Sequence, residues 1–119
     1  MEDKSRQLSR RFLKYAIEIV NICVQLKKAP VEKHIANQLL RSGTSVGANY
    51  EEACGAQSRA DFIHKLQIVF KESRESLFWL KLIQASPHLN VNNIDRLIDE
   101  TSQLNNILAQ SIKTAKSNR

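Results

Sequence analysis

Glycine and proline are scarce in this chain, at three and two among 119 residues. Few sharp turns are therefore available, which excludes a β-rich or loop-rich fold and leaves a small number of long helices. Cysteine is too sparse for a stapled fold. Cys23 and Cys54 stand far apart with no Cys-x-x-Cys spacing, so a disulfide framework or a metal site lacks its ligands. Both thiols are expected to be reduced and buried, as in a cytoplasmic protein. Long apolar runs are missing too, since no stretch approaches the roughly 20 residues of a membrane span. Residues 1–11 are polar and charged with no apolar core, so no signal peptide is expected. The length predicts one domain over 1–119, able to bury about two-thirds of the surface of its unfolded chain.

Present instead are positive charge and helical periodicity. Eighteen Lys and Arg against twelve Asp and Glu leave a net charge of +6, which favours acidic partners, nucleic acid foremost. Leu8, Phe12, Tyr15, Ile19, Ile22 and Leu26 alternate at four-three spacing and predict a helix over about 5–28. Ile17, Val20, Cys23 and Val24 widen its apolar face beyond one stripe. A helix apolar over so much of its circumference packs against more than its own bundle. Pro30 closes that helix.

A second helix is expected over 31–55, with Ile35, Leu39, Leu40, Val46 and Tyr50 inward. At its centre lies the run Ser42-Gly43-Thr44-Ser45-Val46-Gly47-Ala48. Each glycine costs a helix about 1 kcal/mol, so propensity alone reads this run as a loop. A loop would strand 50–56 as an isolated turn, and a continuous helix approached closely by a neighbour is the preferred reading. Ser58, with Asp61 three residues on, caps a third helix over 58–86, whose seam is Phe62, Leu66, Val69, Ser73, Ser76, Leu80 and Ile83. Pro87 ends it. A fourth helix is expected over 91–116 on Ile94, Leu97, Thr101, Leu104, Leu108, Ser111 and Ala115, with a polar, frayed tail after it. Short connections make consecutive helices antiparallel neighbours, so the fold class is all-α, an up-down-up-down four-helix bundle.

The run from Arg41 to Ala53, followed by Ser58-Arg59-Ala60-Asp61-Phe62, resembles the bacterial four-helix bundle family encoded by intervening sequences within 23S ribosomal RNA genes. Glu75 also falls where that family has Glu. The fold is similar to the accessory variability determinant of diversity-generating retroelements. The resemblance spans about 12–108 and implies a four-helix protomer, assembled as a barrel-like homopentamer, with the small-residue run helical. It implies no enzymatic activity. The retroelement accessory protein binds nucleic acid and a reverse transcriptase through its basic surface, so the resemblance implies RNA, DNA or a nucleic-acid-handling protein as the partner class. One departure is plain: the tryptophan commonly found near the start of the first helix is absent, and Trp79 lies in the third.

Catalytic chemistry finds little support. His34, His64 and His88 are scattered and none stands in a Glu-x-x-His arrangement; the phosphate-binding, nucleophile-elbow, zinc-protease and dinucleotide motifs are also missing. No catalytic, cofactor-binding or metal-ligating residue is assigned, and no cofactor is expected. The richest polar constellation is Ser45, Asn49 and Glu52 on one helical stripe, with Glu75 in reach from the third helix. It is read as a structural polar core that fixes helix register. Lys4, Arg6, Arg10, Arg11 and Lys14 crowd the first helix, and Lys71, Arg74 and Lys81 share a face of the third. These eight are the candidate nucleic-acid-binding residues. No aromatic residue is seen among them, so base stacking is not expected. The function predicted is a non-enzymatic homopentameric scaffold touching nucleic acid, or a protein that handles it, without sequence specificity and away from membranes. The alternative is a structural or protein-recruiting adaptor that binds no nucleic acid.

Overall fold

A computed structural model describes residues 3–26 and 28–118, so the expectations placed on residues 1, 2, 27 and 119 lie outside the described residues. Four helices follow in order, α1 (Lys4–Gln25), α2 (Pro30–Cys54), α3 (Arg59–Ala85) and α4 (Ile94–Ser117), and no strand occurs among the described residues. Neighbours pack in the cyclic order α1–α2–α3–α4–α1, while the diagonal pairs α1/α3 and α2/α4 make no close backbone approach. The result is an up-down-up-down bundle with a long axis of 49 Å.

The helix ends follow local chemistry. Asp3 caps α1 by accepting a hydrogen bond from the Arg6 amide at 2.9 Å, and Ser58 caps α3 through the Asp61 amide at 3.0 Å. α1 stops at Gln25, short of the expected 28. Leu26 turns extended at ψ 138° while its side chain stays buried in the core. The chain needs the residues up to Ala29 to reverse direction, and Pro30 holds Ala29 extended at ψ 156°. Pro30 itself occupies the first turn of α2, where its missing amide costs nothing. α4 starts at Ile94 rather than 91, because Asn93 is held left-handed at φ 66° and breaks the approach. The small-residue run is continuous helix.

The core is the seam read from the heptads. Phe12, Tyr15 and Ile19 of α1, Leu39 and Val46 of α2, Leu66 and Leu80 of α3, and Leu97 and Leu104 of α4 are all buried. Leu40, expected inward, is exposed on the α1 side of α2. Helix spacing around the ring is uneven, and the small residues explain it. A Cβ on Gly43 would stand 2.7 Å from Ile19 Cγ2, and one on Gly47 would stand 3.3 Å from Phe12 Cβ, so both glycines let α1 close onto α2. Ser42 and Ser76 meet at 3.1 Å between α2 and α3. Between α1 and α4 bulky seam residues keep the backbones further apart, and polar side chains bridge the gap. Arg11 pairs with Glu100 through two hydrogen bonds of 2.8 and 2.7 Å, Arg96 reaches Glu18 at 2.7 Å, and the Tyr15 hydroxyl meets Thr101 Oγ1 at 2.8 Å.

Tyr15 gives the bundle a predictable alkaline limit. Burial pushes its hydroxyl up from 10.0 to about 12, against a smaller lowering by the Thr101 hydrogen bond. Below pH 10 the phenol is protonated in folded and unfolded chains alike. Between pH 10 and about 12 the unfolded chain releases the proton and the folded chain keeps it, so stability falls as pH rises. The loss is roughly 2–3 kcal/mol over that window. Burial also raises the Cys23 thiol from 9.0 to about 11, adding a loss that starts nearer pH 9. Tyr15→Phe is expected to be about 1 kcal/mol less stable than the parent at neutral pH, for want of the hydrogen bond. It is also expected to lose less stability than the parent above pH 10, as urea midpoints at pH 8 and 11.5 would register. Parallel losses in the two proteins would clear Tyr15 as the origin.

Candidate nucleic-acid interface

The eight candidate cations divide into two groups that the fold keeps apart, since α1 and α3 are diagonal. On α1, Arg6, Arg10 and Lys14 recur every fourth residue and are exposed, and Lys4 is exposed at the first turn. Arg11 is withdrawn from the group. It lies half-buried against α4, bonded to Glu100 and at 3.0 Å to Gln103, and its guanidinium is held more firmly protonated by the Glu100 hydrogen bond. A side chain so engaged is poorly placed to meet a phosphate.

On α3, Lys71, Arg74 and Lys81 are exposed along one face, and no carboxylate of the described residues is in ion-pair range of them. The same face carries aromatic side chains, which corrects the expectation from sequence. Phe78 is 59 % exposed between Arg74 and Lys81, and the Arg74 guanidinium stands 5.7 Å from the Phe70 ring centroid. Their spacing (71, 74, 78, 81) is that of one helical stripe, so the signal was present in the sequence but hidden by reading only the charges. Asn105, Asn106 and Ala109 of α4 form the opposite wall of a groove of about 390 Å³.

The expected polar core is not assembled. Ser45 and Asn49 are half-buried and bond only back along their own helix, to the Arg41 carbonyl at 2.6 Å and the Ser45 carbonyl at 2.9 Å. Glu52 is exposed, and none of the three bonds to Glu75. Their stripe lies outside the line of contact with α3, because Ser42 and Gly43 take the inward positions of α2. Glu75 instead accepts from Arg41 and, at 2.9 Å, from Trp79 Nε1, while Glu72 pairs with Arg41 at 3.3 Å. Among the described residues, the polar ones that are buried whole include Ser42, Ser73, Ser76 and Thr101. Cys54 is exposed and Cys23 half-buried, so the buried thiols expected from sequence reduce to one partly buried sulfur, which donates to the Ala36 carbonyl at 3.4 Å. Among the described residues no group of three or more His, Cys, Asp or Glu is placed to hold a metal ion, and no helix is long and apolar enough to cross a membrane.

A second feature lies on the outer face of α1 and α2. Leu13, Ile17, Val20 and Val24 form a continuous exposed stripe, Val24 at 74 %, and Leu40 and Val31 of α2 are exposed with them. Two shallow apolar depressions run beside the stripe, one floored by Ala16 and Gly47 and the other by Cys23 and Ala36. The small residues that bring the two helices together thus also leave a furrow between them.

The sequence profile of the 23S rRNA-intervening sequence protein family matches residues 4–110. Among solved structures, a protein of unknown function from the S23 ribosomal protein family of Bacteroides thetaiotaomicron VPI-5482 is similar, with a TM-score of 0.83 and 37% sequence identity. The match covers 93% of this chain and 99% of that one. No curated relative matches at a significant level.

Proposed function

The chain belongs to the 23S rRNA-intervening sequence protein family, and on that premise we propose a non-enzymatic, cytoplasmic homo-oligomer that presents a repeated basic surface to nucleic acid. The observation that carries the reading is the exposed stripe of Leu13, Ile17, Val20 and Val24. A protein with so continuous an apolar face is expected to cover it. A second copy is the simplest cover, and a ring of five copies is the assembly proposed. Such a ring seats the stripe of each copy on a different face of the next, as closed rings of more than two copies require.

Assembly is what makes the charge effective. The exposed candidate cations of one protomer are split between two separate helices, and single phosphate contacts are weak. Five copies set side by side bind as one multivalent surface, strengthening attachment by about a hundredfold or more. Contacts of this kind go to the backbone of RNA or DNA and carry no sequence preference. Two unbridged cysteines, one of them exposed, support the cytoplasmic placement.

The test is fluorescence anisotropy of labelled structured RNA and duplex DNA, titrated at several salt concentrations with protein of measured mass. Micromolar or tighter binding that weakens steeply with salt is expected. An intact assembly that binds neither at low salt would refute the nucleic-acid reading and leave a protein-recruiting adaptor.

A further inference from the structure

The exposed α1 stripe supplies one side of a junction between copies. In a closed ring of more than two copies the other side is a different face, inclined to the first; a face directly behind it builds an open filament instead. Neighbouring helices run in the order α1–α2–α3–α4, so the α3–α4 side stands back to back with the α1–α2 furrow. The α2–α3 and α4–α1 sides adjoin it. Of these two, the α4–α1 side is taken up by the ion pairs Arg11–Glu100 and Arg96–Glu18. The α2–α3 side has a different character. Val31, in the first turn of α2, is 66 % exposed, and His34 one turn on is exposed as well. His34 stands edge-on to Trp79, with centroids 6.2 Å apart and planes at 82°, and Trp79 meets Phe78 at 5.1 Å and 77°. Three rings thus run from α2 across to the outer face of α3.

Aromatic side chains left in water, tryptophan above all, are the residues that anchor protein interfaces. The charge beside them is acidic. Glu75 accepts from Trp79 Nε1 at 2.9 Å and shares the guanidinium of Arg41 with Glu72. Two carboxylates against one cation leave a negative charge next to Trp79. The furrow carries the opposite sign. Its depression beside Val20, Val24 and Leu40 is lined also by Lys28 and Lys33 and by no carboxylate. An aromatic ridge with an acidic edge therefore matches an aliphatic hollow with a basic one. Height matches too. Both features lie toward the end of the bundle where α1 passes to α2 and α3 to α4, so rotation about an axis along the bundle brings them level.

We infer that the patch of Val31, His34, Trp79 and Phe78 is a second binding face, which docks into the α1–α2 furrow of another copy of this chain, so that assembly runs head to tail. This rests on the assembly reading above and adds to it the receiving surface, its chemistry and the polarity of the ring. Arg74 and Lys81 flank Phe78 on its α4 side, so they stay outside the junction and open to water.

The experiment compares the parent chain with Val31→Asp/Phe78→Asp and with Ile17→Asp/Val24→Asp, by scattering mass, circular dichroism and tryptophan emission. All four substituted side chains are exposed in the protomer, so the three proteins are expected to fold alike. Val31→Asp/Phe78→Asp is expected to fall from five protomers to one. Mixed in equal amounts, at a concentration where each alone is monomeric, the two variants are expected to pair at twice 13.6 kDa and go no further. Each keeps one intact face, and the two intact faces are complementary. Trp79 is the single tryptophan and lies on the helix diagonal to α1. Its emission should nonetheless shift to the red in Ile17→Asp/Val24→Asp, because the cover it loses belongs to a neighbouring copy. A Val31→Asp/Phe78→Asp protein that keeps the parent mass overturns the second face and leaves the assembly reading in place. Failure of the two variants to pair overturns the match between these faces, as does unchanged Trp79 emission. A parent that is monomeric at micromolar concentration removes both readings together.

Discussion

Gly43→Val is expected to leave little folded protein. The hydrogen of Gly43 faces Ile19, and a Cβ there would stand 2.7, 2.8 and 2.9 Å from Ile19 Cγ2, Cγ1 and Cδ1. Those atoms belong to a stiff, β-branched side chain that is fully buried, so they have nowhere to retreat. Relief requires α1 and α2 to separate, and with them the packing of Phe12 over Gly47 and the Phe12–Tyr50 ring contact at 4.9 Å. Gly43→Ala gains about 1 kcal/mol of helix propensity and is expected to be destabilised by only about 1–2 kcal/mol net. Valine adds two more carbons to the same clash and keeps little of that gain, so a loss above about 4 kcal/mol is expected. Chemical denaturation with far-ultraviolet circular dichroism measures both. Ile19→Ala removes all three clashing atoms, so the double variant Ile19→Ala/Gly43→Ala should be more stable than the two single losses sum to. Strict additivity would show that the close approach is not what limits the site.

The joint substitution Ile17→Asp/Val24→Asp is expected to produce a folded monomer. Both side chains are already in water in the single protomer, at 54% and 74% exposure, so charging them leaves the bundle core untouched. In an assembly the same positions would be dry, and each buried carboxylate without a partner costs several kcal/mol. Light scattering should then fall from five protomers to one, which is to 13.6 kDa, with the circular dichroism spectrum kept. Nucleic-acid affinity should drop with it, by about a hundredfold or more, although neither residue is a cation. That coupling separates the scaffold from a protein whose single protomer binds by itself. A parent that is already monomeric at micromolar concentration would remove the stripe as a self-association face.

The inward residues were legible because burial in a bundle is periodic. Phe12, Leu66, Leu80, Leu97 and Leu104 all sit where the four-three alternation puts them. Gly43 and Gly47 were legible in a weaker sense: a helix that tolerates two glycines must gain from close packing, although the partners Ile19 and Phe12 were not named by the pattern. The polar stripe of Ser45, Asn49 and Glu52 misled for a related reason. Periodicity places residues on a common face, yet it does not say whether that face lies inside the contact with α3 or beside it. Arg11 shows the same limit for charge. It resembles Arg10 in sequence, and only the approach of Glu100, 89 residues away, marks it as engaged.

What the sequence determined by itself is therefore one-dimensional: the number of helices, their inward stripes, the Ser58 cap and the net charge of +6. These depend on the 3.6-residue repeat and on contacts within a few residues. The tertiary structure decided which helices close tightly, which cations remain uncompensated, and that Phe78 and Asn105 share one groove. Those properties depend on distances between segments far apart in the chain, and such distances are set by side-chain volume at every level of the bundle together.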